Sequence, residues 1–265
     1  MSGLDLELVT TVLFDVDGNL VPSEPIALEA SAPVTNRFAE AIGLPDRFTA
    51  EGLRHATTGR NFRSLAIELA GGSGGSAAPA EPLTAERLEW WVEEENRVVS
   101  EYLRHHLQPD PDVQDAVDRI AARFAVAAVS SSTIARLQAC FAATGLAAHF
   151  PSARCFSAED SLDPPVSKPD PAVYLEALRR LGLRAEQAVA IEDSSRGAQA
   201  AVAAGCPTIG NLTFVPAEDR ERHRATLLET GVVAVVDSWA EAVELLGAGD
   251  PAGARGPASS VDRVP

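Results

Sequence analysis

The stretch LFDVDGNL, residues 13–20, ends an apolar run with two acids one residue apart and then a glycine. The run that leads into it, LVTTVLF (8–14), is rich in β-branched and aromatic side chains, which is typical of a strand. Residues i and i+2 of a strand share a side, so the pattern predicts that Asp15 and Asp17 crowd two carboxylates together. Close like charges raise the pKa of one group unless a cation or proton lies between them. The motif therefore predicts a metal, a shared proton, or a turn that directs one acid away.

Length, composition and charge restrict the class of protein. The 265 residues have room for one large domain or two smaller ones, and 46% hydrophobic with 23% charged residues indicates a globular chain. The net charge of −16 argues against a nucleic-acid groove, which needs a basic face. We see no signal peptide and no apolar run near the ~20 residues of a membrane span. The scattered Cys140, Cys155 and Cys206 suit reduced thiols, so we expect a cytoplasmic protein.

Strand-like and helix-like segments alternate from residue 109 onward. The strand-like runs are 124–130, 188–193, 207–211 and 232–237, and the helix-like segments are 133–145, 171–182, 195–205 and 239–247. The helix over 171–182 ends at Gly182, which suits a C-cap. Alternation of this kind predicts an α/β fold in which a doubly wound, Rossmann-like parallel sheet has helices on both faces.

Residues 21–106 have a different pattern. Their apolar residues fall at helical spacing, most clearly over 83–107, where Thr84 is a suitable N-cap, and no strand is evident. The tract GGSGGSAAPAEP (71–82) is typical of a flexible connector or mobile loop. We therefore predict a core of residues 1–20 and 107–246, a helical cap of residues 21–106 inserted after the first strand, and a disordered tail over 247–265.

Polar side chains follow several of the predicted strands, at the carboxyl edge where doubly wound sheets bind ligands. They are Asp15, Asp17, Ser130, Lys168, Glu192 and Asp193. Carboxylates suit Mg²⁺, which usually binds through one or two of them plus a substrate phosphate. A serine hydroxyl and a lysine ammonium would neutralise an anionic group under attack. One carboxylate can form an aspartyl-phosphate while a second acts as general acid and base.

With these motifs the chain resembles the haloacid dehalogenase superfamily of aspartate-nucleophile phosphotransferases. The resemblance is closest to members with a helical cap, such as sugar-phosphate phosphatases and β-phosphoglucomutase, and it extends to about Leu246. It rests on four ordered motifs, which are DVDG (15–18), SSS (130–132), SKPDP (167–171) and IEDSSRGAQAA (191–201).

The resemblance implies a role for each matching residue. Asp15 is the nucleophile, Asp17 the general acid and base with its backbone carbonyl facing the metal, Ser130 the phosphoryl ligand, and Lys168 the bridge between nucleophile and phosphate. The implied Mg²⁺ ligands are Asp15, Asp17, Glu192 and Asp193. The implied substrate-binding residues are Gly18, Asn19, Ser131 and Arg60, and Arg63 is a weaker candidate on the cap.

These residues predict a Mg²⁺-dependent phosphatase that acts as a monomer on a small phosphate ester, without nucleic acid or membrane. Asn19 stands where the family usually has Thr or Val, and Pro22 where Asp is common. Ala27 replaces a His on which the mutase resemblance relies, so it favours a hydrolase over the alternative of a phosphomutase. A non-catalytic binding protein of the same fold is a further alternative. Ordinary structural roles are also open, such as helix capping by Ser130–Ser132.

Overall fold

In a computed structural model, the chain forms one six-stranded parallel sheet with the strand order β3-β2-β1-β4-β5-β6. The structure describes residues 4–45, 47–57, 61–71 and 83–248, without the side chains of 55–57. The strands are β1 (Thr11–Phe14), β2 (Ala125–Ser130), β3 (Cys155–Ser157), β4 (Ala188–Glu192), β5 (Thr208–Asn211) and β6 (Ala234–Val236). Because β1 pairs with both β2 and β4, the strand order reverses beside it, and its carboxyl end lies at the crevice where such sheets bind ligands.

Helices cover both faces of this sheet. They are α1 (Ser23–Ala41), α2 (Ala50–Thr57), α3 (Phe62–Ala70), α4 (Ala85–His106), α5 (Pro111–Ala121), α6 (Ile134–Thr144), α7 (Ala172–Leu181), α8 (Ser195–Ala203), α9 (Arg220–Glu229) and α10 (Trp239–Leu245). Alternate residues of β1 enter different apolar clusters. Phe14 packs with residues of α5, α6 and α10, whereas Leu13 packs with residues of α7 and α8. The doubly wound prediction is therefore confirmed.

Three elements outside the first four helices, β3, α5 and α9, escaped prediction from the sequence. β3 has only three residues, too few to show a periodic pattern, although all three are buried. α9 is dominated by charged and polar residues and buries only Leu227, so it lacks the apolar stripe that marks a packed helix. The predicted helix ends were more accurate. Thr84 accepts a hydrogen bond from the Arg87 amide at the start of α4, and Gly182 ends α7 with a φ of 68°.

The first four helices lie between β1 and α5 in the chain and have an apolar cluster of their own. In this cluster Phe38 contacts Phe62 and Trp91 edge-on, with ring centroids 5.9 and 5.7 Å apart. The far end of α4 belongs instead to the cluster of the sheet, through Val99 and Leu103. The division of the chain at residues 20 and 106 stays a prediction, as does the role of the tract 71–82, of which 72–82 lie outside the described residues.

Candidate active site

The site lies at the carboxyl end of β1, where the strand ends one residue before its first acid. Asp15 is 7% exposed, and its amide donates to the carbonyl of Ile191 on β4. The chain then turns through Gly18, whose φ of 84° is left-handed. Because the strand has already ended, its alternation does not set the directions of the two acids, although both line one cavity. The turn gives Asp15 and Asp17 separate partners.

Lys168 holds the first acid in place. It follows β3 through a loop, and its ammonium donates to Asp15 Oδ1 at 2.6 Å, Glu192 Oε1 at 2.7 Å and the Val129 carbonyl at 2.9 Å. These three acceptors use all three donors of the ammonium group. Burial alone would lower the pKa of Lys168, but Asp15 and Glu192 raise it above its usual range. A buried lysine is therefore kept charged between two carboxylates.

Glu192 is fully buried at the end of β4, where its two oxygens have different surroundings. Oε1 accepts from Lys168 and from the Tyr174 hydroxyl at 2.5 Å, whereas Oε2 has no hydrogen-bond partner. Gly197, in the first turn of α8, makes room for this carboxylate, because a Cβ there would lie 1.9 Å from Oε2. Burial and the Glu192 charge raise the pKa of Tyr174 well above its usual value.

Three carboxylates meet here in a way that suits a cation. Ligand oxygens of Asp15, Glu192 and Asp193 lie within 4.8 Å of one another, and Asp193 Oδ1, like Glu192 Oε2, is buried without a partner. Burial and the Glu192 charge raise the pKa of Asp15 to about 8, and burial and the Asp15 charge raise that of Asp193. An unpaired buried carboxylate oxygen is costly, so hard oxygen donors in this arrangement fit Mg²⁺.

Asp17 is turned away from this cluster toward a group of serines. Its Oδ1 accepts from the Ser23 hydroxyl at 2.6 Å, and its Oδ2 accepts from Ser132 at 2.9 Å and Ser130 at 3.3 Å. The cluster of three thus leaves out the Asp17 carboxylate, and a metal contact through its backbone carbonyl stays a prediction. Capping of α6 by Ser130–Ser132 was wrong, because Thr133 accepts the hydrogen bond from the Arg136 amide.

Gly18 and Asn19 do not line the cavity, although both were predicted to bind substrate. Asn19 is fully buried and donates to the carbonyls of Asp15 and Ile191, both at 3.0 Å, while Asn211 donates to it at 2.8 Å. Asn19 therefore ties together the ends of β1, β4 and β5. Gly18 allows Asp193 to approach, since a Cβ would lie 2.3 Å from its Oδ2.

A cavity of about 250 Å³ opens above these groups, between the sheet edge and the first four helices. The fold brings six of the predicted site residues together in the lining of this cavity, namely Asp15, Asp17, Ser130, Ser131, Lys168 and Asp193. Several lining residues were missed, and of these only Arg196 lies in one of the four motifs; they are Glu24, Ser31, Glu95, Arg136, Arg196 and His223. Arg60 lies outside the described residues. Arg63 does not line this cavity; its guanidinium binds Glu89 and Glu159.

Two of the missed residues hold the backbone of the predicted site residues Lys168 and Asp193. Arg196 donates to the carbonyl of Lys168 at 2.6 Å, and His223 donates to the carbonyl of Asp193 at 2.5 Å. α9, which the sequence did not reveal, thus reaches the edge that holds the carboxylate cluster through His223. Side-chain contacts to backbone carbonyls leave no local sequence signature, so only the fold could show them.

Comparison with known proteins places this arrangement in a family. Residues 9–205 match the family model of the haloacid dehalogenase-like hydrolases. The chain belongs to this family. It is therefore an enzyme of the hydrolase class, as the order of its motifs predicted. Among the described residues, no helix combines the length and apolar character needed to cross a membrane.

Several relatives extend the comparison. A phosphorylated carbohydrates phosphatase of Thermotoga maritima is 28% identical over 232 residues, covering 85% of this chain and 93% of that protein. The plasmid-encoded CbbY protein of Cupriavidus necator is 52% identical over 54 residues, only 20% of this chain and 21% of its own length. The structure of a CbbY variant from Rhodobacter sphaeroides in complex with xylulose-(1,5)-bisphosphate has a TM-score of 0.68 at 21% identity, and the alignment covers 88% and 96% of the two chains.

Proposed function

We propose that this chain is a Mg²⁺-dependent phosphatase that hydrolyses a small phosphate monoester, a sugar phosphate or similar metabolite, through an aspartyl-phosphate intermediate on Asp15. The observation that carries the proposal is the pairing of Asp15 with Lys168 at 2.6 Å beside two carboxylates with unpartnered oxygens, all at one end of a cavity. The phosphorylated carbohydrates phosphatase of Thermotoga maritima, aligned over nearly its whole length, supports a phosphorylated carbohydrate as substrate.

Asp15 is the group that attacks phosphorus. One carboxylate oxygen would form the new P–O bond as the P–O bond to the leaving alcohol breaks, which produces an acyl phosphate on Asp15. The positive charge of Lys168, held on Asp15, would stabilise the phosphoryl oxygens as charge shifts among them, and the hydroxyl of Ser130 would turn from Asp17 to donate to one of them. When bound by Asp15, Glu192 and Asp193, Mg²⁺ would supply further positive charge to these oxygens.

Asp17 is the group that moves the proton. In its acid form it would protonate the departing alkoxide, and its carboxylate would then take a proton from the water that attacks the acyl phosphate. Ser23, Ser130 and Ser132 fix this side chain through hydrogen bonds to both of its oxygens. Asp17 is thereby held beside Asp15 without competing for the cation.

The first four helices would act as the cap over this chemistry. Phe62, Leu65 and Leu53 line the cavity from α3 and α2 and give it an apolar wall opposite the carboxylates. A lid of this kind excludes bulk water, which strengthens the electrostatic interactions within the site.

The direct test measures phosphate release from phosphorylated metabolites with Mg²⁺ and with EDTA. We expect release only with the metal and a loss of at least about 10³-fold in Asp15→Asn, since removing a nucleophile leaves only binding and electrostatic assistance. Asp112→Asn, an isosteric change at an exposed position of α5, is the matched control and should retain wild-type activity.

Two outcomes would contradict the proposal. Phosphate release that persists in Asp15→Asn would exclude an intermediate on Asp15. Conversion of the substrate to an isomeric phosphate ester without release of phosphate would identify a phosphomutase, the alternative that the sequence left open.

A further inference from the structure

We infer that Glu95 and Arg136 form a hydroxyl-binding pair. This pair would select substrates with an uncharged, polyhydroxylated leaving group over those with a second phosphate or a carboxylate. This inference rests on the proposed function and adds a substrate class to it. Glu95 comes from α4 and Arg136 from α6, so the pair joins the two walls of the cavity.

The pair is buried and its charges are matched. Arg136 Nη2 lies 2.5 Å from Glu95 Oε2, and the two side chains are 13% and 6% exposed. The hydroxyl of Ser31, on α1, donates to the other oxygen of Glu95 at 2.9 Å. Because each charge is neutralised by the other, the pair offers no net positive charge to an incoming anion.

The pair nevertheless has hydrogen-bonding capacity to spare. A guanidinium has five N–H donors, and within the described chain Arg136 uses one of them, on Nη2; its Nε is also unpartnered but fully buried, so only the two Nη groups could meet a ligand. Each oxygen of Glu95 accepts one hydrogen bond and has a second lone pair. Neighbouring acceptor and donor sites of this kind match a sugar hydroxyl, which accepts from Arg136 and donates to Glu95.

A second anionic group would be penalised in the same place. It could accept from Arg136 only by approaching the Glu95 carboxylate, whose repulsion is strong because neither group is well solvated. The rest of the described lining also disfavours an anion, because acidic side chains outnumber basic ones. It contains the carboxylates of Asp15, Asp17, Glu24 and Asp193, whereas its basic side chains, apart from His223, are Lys168 and Arg196. Lys168 is already committed to the reacting end.

The size of the cavity agrees with this assignment. At about 250 Å³ it is smaller than the 300–1,000 Å³ usual for drug-sized ligands, and it includes the room needed by the phosphoryl group. A cavity of this size fits a small sugar or polyol as the leaving group, whose hydroxyls would lie within reach of one polar pair.

The test compares kcat/KM for three substrates: a ketohexose monophosphate, the corresponding bisphosphate, and p-nitrophenyl phosphate, whose leaving group has no sugar hydroxyls for the pair to bind. The wild type should prefer the monophosphate to the bisphosphate by at least about tenfold. In Glu95→Gln the ratio of kcat/KM for the monophosphate to kcat/KM for p-nitrophenyl phosphate should fall at least about tenfold. This factor corresponds to the loss of one hydrogen bond to a charged group. The ratio of bisphosphate to monophosphate should rise, because the repelling charge is gone.

Further variants separate selectivity from stability. Glu94→Gln is the matched control, since Glu94 is the preceding residue of α4, binds Arg37 and Arg97, and does not line the cavity; it should leave all three values unchanged. Removing one partner of a buried ion pair is destabilising. The double variant Glu95→Gln with Arg136→Met avoids an unpaired buried charge, and its thermal unfolding confirms the fold. This variant should show the same loss of monophosphate selectivity.

The inference and the proposed function fail differently. Equal losses of kcat/KM for all three substrates in folded Glu95→Gln would contradict the hydroxyl-binding role of the pair, as would a wild-type preference for the bisphosphate. Either result would leave the proposal of an Asp15-dependent phosphatase intact. Absence of Asp15-dependent turnover on every substrate, p-nitrophenyl phosphate included, would overturn the proposed function and with it the inference.

Discussion

Substitution of Asn19 by alanine gives the clearest test of how this site is built. The family resemblance assigns Asn19 to substrate binding, whereas the structure buries it completely behind the catalytic loop. Its amide donates to the carbonyls of Asp15 and Ile191, and its oxygen accepts from Asn211. The two interpretations predict different measurements on the same variant.

The expected cost follows from the groups left behind. In Asn19→Ala the carbonyl of Asp15 and the amide of Asn211 lose a buried partner, whereas Ile191 retains the hydrogen bond from the Asp15 amide. At about 1–3 kcal/mol for each unsatisfied buried group, we expect the free energy of unfolding to fall by about 3 kcal/mol. The folded protein should lose kcat more than KM rises, because the loop that carries Asp15 is less firmly held.

Urea unfolding of wild type, Asn19→Ala, Asn211→Ala and the double variant measures this cost. The double-mutant cycle should give a coupling energy of about 1 kcal/mol between the two asparagines, which contact each other directly at 2.8 Å. A change in stability below about 1 kcal/mol, together with a tenfold rise in KM, would refute the structural role and restore the substrate-binding one.

Three further predictions follow from the same groups. Gly18→Ala should weaken Mg²⁺ binding at least about tenfold in a calorimetric titration, because the left-handed φ costs about 1–2 kcal/mol and the new Cβ displaces Asp193; unchanged affinity would contradict this. The metal-free protein should lose stability as pH rises from about 4 to about 8, since burial and the Glu192 charge raise the pKa of Asp15 to about 8 in the folded state. Asp15→Asn should flatten that slope in pH-dependent thermal unfolding, and an equal slope would be the contrary result. Burial raises the pKa of the Cys155 thiol to about 11, so iodoacetamide at pH 8 should modify it only after unfolding, as mass spectrometry would show.

The sequence predicted the fold well where the pattern was repeated. β1, β2 and β4 are largely apolar runs, and the helices after β2 and β4 begin at the capping residues Thr133 and Ser194, so periodicity and capping agree there. β3 and α9 were missed because their positions depend on partners elsewhere in the chain. Three residues pair as a strand only beside β2, and a charged helix is held largely by Leu227.

The cluster of polar residues at the strand ends was predictable for a similar reason, and the side of the cavity formed by the first four helices was not. Asp15, Lys168 and Asp193 occur in ordered motifs at strand ends, and a parallel sheet brings such ends to one edge. Glu95 and Arg136 lie within ordinary amphipathic helices, where a charged residue is usually a solvated one. Only the packing of α4 against α6 turns two such residues toward each other.

The charges of the site explain why the chain tolerates so costly an arrangement at its centre. Asp15, Glu192 and Asp193 surround a single ammonium, so the ionised cluster has two negative charges in excess. A divalent cation matches that excess, whereas a monovalent one leaves a buried charge uncompensated. Without the cation the protein can relieve the excess only by holding protons, which is the meaning of the raised pKa of Asp15. Because Glu95 and Arg136 already neutralise each other, the uncompensated charge lies at the carboxylate cluster, where a bound cation would balance it.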